Sequence, residues 1–180
     1  MKKYDCIFLD RDGTLNPDPG YINSIKKYNF YDFTIPALKL MAGKDNRFCI
    51  VTNQSGVGRG LISVKDLKII NKFIKEEFIN NNIILMDIYM CFDHPKNATN
   101  YRKPGPGMFL EAKKNHSLKL SNCLMVGDSA KDMEAGNKLG METLLVLTGE
   151  GEKTLDRLKG SKMITYYAKN IYEGFKEICH

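Results

Sequence analysis

Acidic and basic residues recur in this chain where apolar runs end. Cys6-Ile7-Phe8-Leu9 is followed by Asp10 and Asp12, then by Gly13-Thr14. Phe48-Cys49-Ile50-Val51 is followed by Thr52-Asn53-Gln54-Ser55-Gly56, and Cys123-Leu124-Met125-Val126 by Gly127-Asp128-Ser129, with Asp132 just beyond. A third run, Asp87 to Phe92, leads through a loop to Arg102-Lys103-Pro104-Gly105. If these runs are strands of an open parallel sheet, their carboxyl ends share one edge and the polar groups meet in one crevice. Carboxylates gathered there repel one another unless a cation sits among them. An all-oxygen set favours a hard ion, with Mg²⁺ the usual choice beside phosphate. Lys103 and the Thr52 hydroxyl then supply the positive charge and the donor that a transferring phosphoryl group needs. The pattern points to a site that handles phosphate.

Taken singly, each group has an ordinary explanation. Asp12-Gly13 suits a turn, Asp128 a helix cap, Lys103 a solvated loop, and Thr52 an edge strand. None of these explains why all four stand immediately beyond a strand or its loop.

The elements that must position them alternate short apolar runs with amphipathic stretches, the signature of parallel α/β architecture. Helices are expected from Pro36 to Met41, from Ser63 through Phe78, from Pro106 to His116 and from Ala130 to Leu139. The second of these opens on Ser63-Val64-Lys65-Asp66, a variant capping box, and keeps Leu67, Ile70, Ile74 and Phe78 at helical spacing. A fifth strand is expected at Thr143 to Leu147, then a strand near Met163 and a helix from Ile171 to Ile178. The segments from Asp10 to Thr52 and from Asp93 to Lys103 are too short for a cap domain, so an open site is expected.

With 180 residues, 43% hydrophobic and 27% charged, the chain suits one domain over 1–180 that buries a core without disulfides or structural metal. Its five cysteines form no C-x-x-C pair, and four lie in or beside apolar segments, which reads as reduced thiols in a cytoplasmic protein. The stretch from Ile83 to Phe92 is too short to span a bilayer. Met1 to Asp5 runs straight into a strand without a leader's apolar region. No membrane partner is expected. The net charge of +6 suits anionic ligands but is dispersed. Nucleic-acid binding, which needs a clustered basic face, is not expected. A nucleotide-binding P-loop at Gly56-Val57-Gly58-Arg59-Gly60 lacks the Lys-Ser/Thr that motif requires. Asn97-Ala98-Thr99 matches a glycosylation sequon that a cytoplasmic chain would not use.

Asp10-Arg11-Asp12-Gly13-Thr14, Thr52, Lys103 and Gly127-Asp128-Ser129-Ala130-Lys131-Asp132 together resemble the four motifs of the haloacid dehalogenase (HAD) superfamily of phosphohydrolases. Within it, Leu15-Asn16, Gly20-Tyr21, Asn53 to Gly56 with Arg59-Gly60, and Arg102-Lys103-Pro104 are most similar to the D,D-heptose 1,7-bisphosphate 7-phosphatases. Histidinol-phosphate phosphatases, or another small sugar-phosphate phosphomonoesterase, are the alternative. The resemblance implies a Rossmann-like three-layer sandwich with a mostly parallel central sheet, no cap domain, and a small anionic sugar bisphosphate as substrate for a monomeric enzyme. It implies Asp10 as nucleophile, Asp12 as acid and base, and Thr52 and Lys103 as stabilisers of the phosphoryl oxygens. Mg²⁺ would be held by Asp10, the carbonyl of Asp12, and Asp128, with Asp132 orienting Lys103. Arg102 would read the second phosphate, Asp18, Gly20 and Tyr21 would line the sugar side, and Asn53, Gln54, Ser55 and Arg59 would complete the substrate contacts.

The chain departs from that pattern in one place. Members of the group carry a zinc loop, Cys-x-His followed by Cys-x-Cys, between the third strand and the lysine. Here Cys91 stands at the first position, while Asp93, Thr99 and Tyr101 occupy the other three. One thiolate cannot make a four-ligand zinc site, and no zinc is expected.

Overall fold

The computed structural model describes residues 2–179. Six parallel strands form one sheet: β1 (Cys6–Leu9), β2 (Phe48–Asn53), β3 (Leu85–Cys91), β4 (Cys123–Gly127), β5 (Glu142–Val146) and β6 (Tyr166–Ala168). Their order is β3-β2-β1-β4-β5-β6, so the chain builds outward from β1 to one edge and then returns to build outward to the other. The crossover helices are α1 (Thr34–Ala42), α2 (Ser55–Gly58), α3 (Val64–Asn80), α4 (Gly107–His116), α5 (Ala130–Lys138) and α6 (Gly151–Arg157), and α7 (Ile171–Cys179) follows β6.

Both faces of the sheet are covered, which is why its central strands are continuously apolar rather than alternating. Ile7, Leu9, Phe48, Ile50, Leu124 and Val126 pack with Leu38 and Met41 of α1, Leu67, Ile70, Ile74 and Phe78 of α3, and Phe175 of α7. On the opposite face Cys6, Phe8, Cys49, Val51 and Met125 meet Met108, Phe109 and Ala112 of α4. The Phe8 and Phe109 rings meet edge to face at 5.1 Å. Cys6, Cys49, Cys91 and Cys123 are buried free thiols within this second layer. The architecture is a three-layer α/β sandwich, and no folded cap lies between β1 and β2 or between β3 and α4 among the described residues.

Several boundaries differ from those read in sequence. The first helix begins at Thr34, two residues before Pro36. β3 begins at Leu85, and the last strand lies at Tyr166–Ala168 rather than near Met163. Two short helices, α2 and α6, were not expected. In α2 a Cβ on Gly58 would lie 2.2 Å from the Phe92 carbonyl oxygen, so contact with the β3 loop holds a glycine where helix propensity disfavours one. Among the described residues, no helix is long and apolar enough to cross a membrane.

Candidate active site

The strand order reverses between β1 and β4, and the residues that leave these two strands become neighbours. A cleft of about 380 Å³ opens at the carboxyl edge there, with Asp10, Asp12, Thr52, Lys103 and Asp128 in its lining. Asp10 follows β1 directly. Its Oδ1 accepts from the Arg11 backbone N–H (2.8 Å) and contacts the Lys103 ammonium at 2.9 Å. Both contacts fall on Oδ1, so Oδ2 has no protein donor among the described residues.

Lys103 is buried and its three N–H bonds are accounted for. Besides Asp10 it reaches Asp132 Oδ1 at 2.6 Å and donates to the Val51 carbonyl at 2.7 Å. Nearby carboxylates overcome the cost of burial, and the ammonium is favoured well above the usual lysine range. The Asp132 Oδ2 accepts from the Ser129 N–H (3.1 Å) and hydroxyl (2.6 Å), so one carboxylate both caps α5 and holds the lysine. The backbone of Lys103 is fixed by Asn53, whose Oδ1 accepts from its N–H (3.0 Å) and whose Nδ2 donates to its carbonyl (3.1 Å).

The Asp12 carboxylate accepts four hydrogen bonds. Arg11 Nε and Nη2 grip it from below (2.9 and 2.7 Å), Asn16 donates at 2.9 Å and Gln54 at 2.8 Å. Burial pushes this carboxyl up. The Arg11 charge and the bonds from Arg11, Asn16 and Gln54 outweigh that and hold it below the usual range. Arg11 is itself fully buried, with Tyr28 stacked 5.8 Å from its guanidinium carbon.

Asp10, Asp128 and Asp132 can bring one oxygen each within 4.8 Å of one another. With Lys103 the cluster carries three negative charges and one positive, a deficit that one divalent cation removes. Burial drives the carboxyls of Asp10, to about 7, and Asp128, to about 8, upward, with the neighbouring aspartates adding to the effect. Asp132 spends its two oxygens on Lys103 and Ser129, so the donors left for a hard ion are those of Asp10 and Asp128. Asp128 is set from two sides. Its Oδ2 accepts from the Glu150 N–H at 2.8 Å, and a Cβ on Gly13 or Gly149 would lie 2.3 or 2.1 Å from that oxygen.

Asp18, Gly20, Tyr21, Asn53, Gln54, Ser55 and Arg102 also line the cleft. Arg59 is exposed at the end of α2 and is not among the lining residues. The amides of Asn53 and Gln54 are turned to protein partners, Lys103 for one and Asp12 with Thr52 for the other, so they shape the site by holding its charged groups. Ile62 and Glu150, to which the sequence points in no motif, also line the cleft, as do Gly56, Ser129 and Lys131. Glu150 had a legible signal. Thr148-Gly149-Glu150 follows β5 as the other polar groups follow their strands, and the Thr148 hydroxyl donates to the Gly13 carbonyl at 2.6 Å.

Beyond β3, Asp93 Oδ2 accepts from both the N–H (2.8 Å) and hydroxyl (2.6 Å) of Thr99. The Tyr101 hydroxyl donates to Glu111 of α4, and Arg102 Nη1 donates to the Asp93 carbonyl at 3.1 Å. His94 accepts from the Lys96 N–H and starts a 3₁₀ turn.

A family model for HAD-hydrolase-like proteins matches residues 100–174. A D-glycero-β-D-manno-heptose-1,7-bisphosphate 7-phosphatase from Pasteurella multocida is 38% identical over 157 residues, covering 83% of this chain and 84% of its own. A relative from Burkholderia mallei named for the α anomer is 34% identical, covering 81% and 80%. The crystal structure of D,D-heptose 1,7-bisphosphate phosphatase from B. bronchiseptica, complexed with magnesium and phosphate, superimposes with a TM-score of 0.89 over 99% of this chain and 98% of that one, at 27% identity.

Proposed function

The chain belongs to the heptose 1,7-bisphosphate 7-phosphatases of the HAD superfamily, and from that membership we propose that it is a Mg²⁺-dependent phosphatase. Its reaction removes the C7 phosphate of D-glycero-D-manno-heptose 1,7-bisphosphate, a step toward nucleotide-activated heptose. The observation that carries the reading is the meeting of Asp10, Lys103 and Asp128 at one sheet edge, from chain positions spread over more than a hundred residues. We read it as a monomer working as a single domain.

Asp10, through its free Oδ2, attacks phosphorus as the bond to the sugar oxygen breaks, giving an aspartyl-phosphate and splitting one difficult displacement into two easier ones. Asp12 gives its proton to the departing sugar oxygen. It then takes a proton from the water whose attack on phosphorus releases phosphate and restores Asp10. Four donors hold Asp12 as a carboxylate in the resting site, ready for the second step. An anionic phosphoryl group beside it raises its proton affinity for the first. Thr52 and Lys103 stabilise the phosphoryl oxygens, and Lys103 must relax one of its three present bonds to do so. Asp10, the Asp12 carbonyl and Asp128 would hold Mg²⁺, which when bound would supply charge that screens the nucleophile from its anionic substrate. Arg102 contacts the second phosphate, a task suited to a guanidinium, and Asp18 to Tyr21 line the sugar side.

The test is a substrate panel with Mg²⁺: both anomers of the heptose bisphosphate, fructose 1,6-bisphosphate and histidinol phosphate. The highest kcat/KM should fall on a heptose bisphosphate, and Asp10→Asn should be inactive. Highest turnover of histidinol phosphate would overturn the sugar assignment. Undiminished activity in Asp10→Asn would remove the covalent route.

A further inference from the structure

Arg11 is fully buried and does not line the cleft, yet its guanidinium meets a group that does. Its Nε and Nη2 each donate to one oxygen of the Asp12 carboxylate, at 2.9 and 2.7 Å, so two parallel bonds fix the plane of that group. Against Arg11 lies the buried Tyr28 ring, met edge to face by Phe30 at 5.5 Å and by Phe73 of α3 at 6.0 Å. The fork thus rests on the apolar core.

Stability does not explain this arrangement. Arg11 and Asp12 are neighbours in the chain, so their pair ties no two elements together. Burying charge is costly, and apolar side chains often replace a buried ion pair without loss of stability. Arg11 even leaves Nη1 without a hydrogen-bond partner among the described residues. What the fork does determine is where the two oxygens of Asp12 point. Oδ1 also accepts from Asn16, which is buried outside the cleft lining, whereas Oδ2 also accepts from Gln54, which belongs to it. Oδ2 is therefore the oxygen on the substrate's side.

We propose that Arg11 is a positioning residue for proton transfer to the departing sugar: its fork aims Asp12 Oδ2 at the leaving oxygen. In that step the Oδ2–H bond breaks, the proton joins the sugar oxygen, and that oxygen keeps the electron pair of the breaking P–O bond. This rests on reading the cleft as a sugar-phosphate phosphatase site. A lysine in place of Arg11 keeps the charge but offers a single swivelling ammonium, so the carboxyl loses its fixed plane. A shift of about 1 Å in a reacting group can cost about a hundredfold in rate, so aim matters here more than charge.

The experiment uses leaving groups that differ in their need for a proton. A sugar alkoxide must be protonated as it leaves, whereas p-nitrophenolate leaves as an anion. In Arg11→Lys, kcat/KM with Mg²⁺ should fall about a hundredfold on heptose 1,7-bisphosphate and less than about threefold on p-nitrophenyl phosphate. Asp12→Asn sets the full loss expected when no proton can be given. Gly140→Ala, which strains a turn outside the cleft lining, should leave the ratio between the two esters unchanged. Equal losses on both esters in Arg11→Lys, or none, would overturn the proposal. If that variant does not fold, Tyr28→Leu decides. The same ratio should then fall about threefold, the scale of one lost cation–π contact, and an unmoved ratio overturns the proposal. If the parent hydrolyses only the nitrophenyl ester, the sugar reading fails, and phenyl phosphate takes the place of the heptose ester. If it hydrolyses neither, the phosphatase reading itself fails, and crystal structures decide. An Asp12 carboxylate unmoved in Arg11→Lys then overturns the proposal, and a displaced one supports it.

Discussion

One ammonium and three carboxylates share the centre of the site, and their imbalance has a measurable consequence. Burial raises the carboxyls of Asp10 and Asp128 to about 7 and about 8, whereas in the unfolded chain they titrate near 4. Between those limits the metal-free folded chain binds more protons at these groups than the unfolded chain does. Its stability therefore falls as pH rises through that window. Lys103, favoured as a cation, contributes throughout it. The melting temperature of metal-free protein should decline from pH 5.5 to 8.5, and saturating Mg²⁺ should raise it more at the upper pH, where the ion no longer competes with protons. A metal-free melting temperature that climbs across this range would show that these carboxylates stay ionised. Asp132 is the second test at this scale. Asp132→Ala strips Lys103 of its shortest contact and α5 of its cap, which should cost about 3–5 kcal/mol in urea unfolding. The meeting of Asp10, Lys103 and Asp132 could be read in sequence because each has a fixed place in a motif. Asn53 and Gln54 could not, because an amide two or three residues past a strand faces ligand or protein according to partners distant in the chain.

The loop from Asp93 to Lys103 is held by oxygen groups at the positions where the resemblance places zinc ligands. Asp93 and Thr99 bond to each other, Tyr101 reaches Glu111, and Cys91 is a buried thiol. Side chains already joined in this way offer a metal little, so zinc chelators should leave the melting temperature unmoved, whereas removing Mg²⁺ should abolish turnover. The clasp also bears on Arg102, which bonds to the Asp93 carbonyl. Asp93→Ala should raise KM for the bisphosphate about threefold with little change in kcat, the scale of a lost solvent-facing hydrogen bond. A fall in kcat with KM unchanged would show instead that the loop shapes the reacting centre. At this scale the buried strands were legible as continuous apolar runs, since burial on both faces leaves no alternation to misread. The helices α2 and α6 were not, because each opens among glycines whose use is close contact: Gly58 with the Phe92 carbonyl, and Gly151, whose Cβ would lie 1.9 Å from the Val146 carbonyl oxygen.

The site as a whole is a product of strand order. Because β1 lies between β2 and β4, the turn after β1 can touch groups from both halves of the chain, and the turn after β5 closes over it from beyond β4. The convergence of β1, β2 and β4 on one edge could be inferred from the sequence by assuming a parallel sheet. The contribution of β5 could not be weighed without knowing that β5 lies beside β4. Gly149 tests that contribution. Its backbone is left-handed (φ +56°), and a Cβ there would press on Asp128 Oδ2, which the Glu150 N–H already fixes. Gly149→Ala should therefore move Asp128 and raise the Mg²⁺ concentration for half-maximal activity about tenfold, the scale of one weakened ligand contact. Gly140 separates this effect from plain backbone strain, being left-handed too (φ +70°) but with nothing within 4 Å of its Cβ direction. Gly140→Ala should lower the melting temperature by about 2–4 °C, as roughly 1 kcal/mol of strain requires in a chain of this size, and leave the Mg²⁺ requirement unchanged. If the two substitutions shift the Mg²⁺ requirement equally, Asp128 does not hold the ion, and the β5 turn only supports the fold.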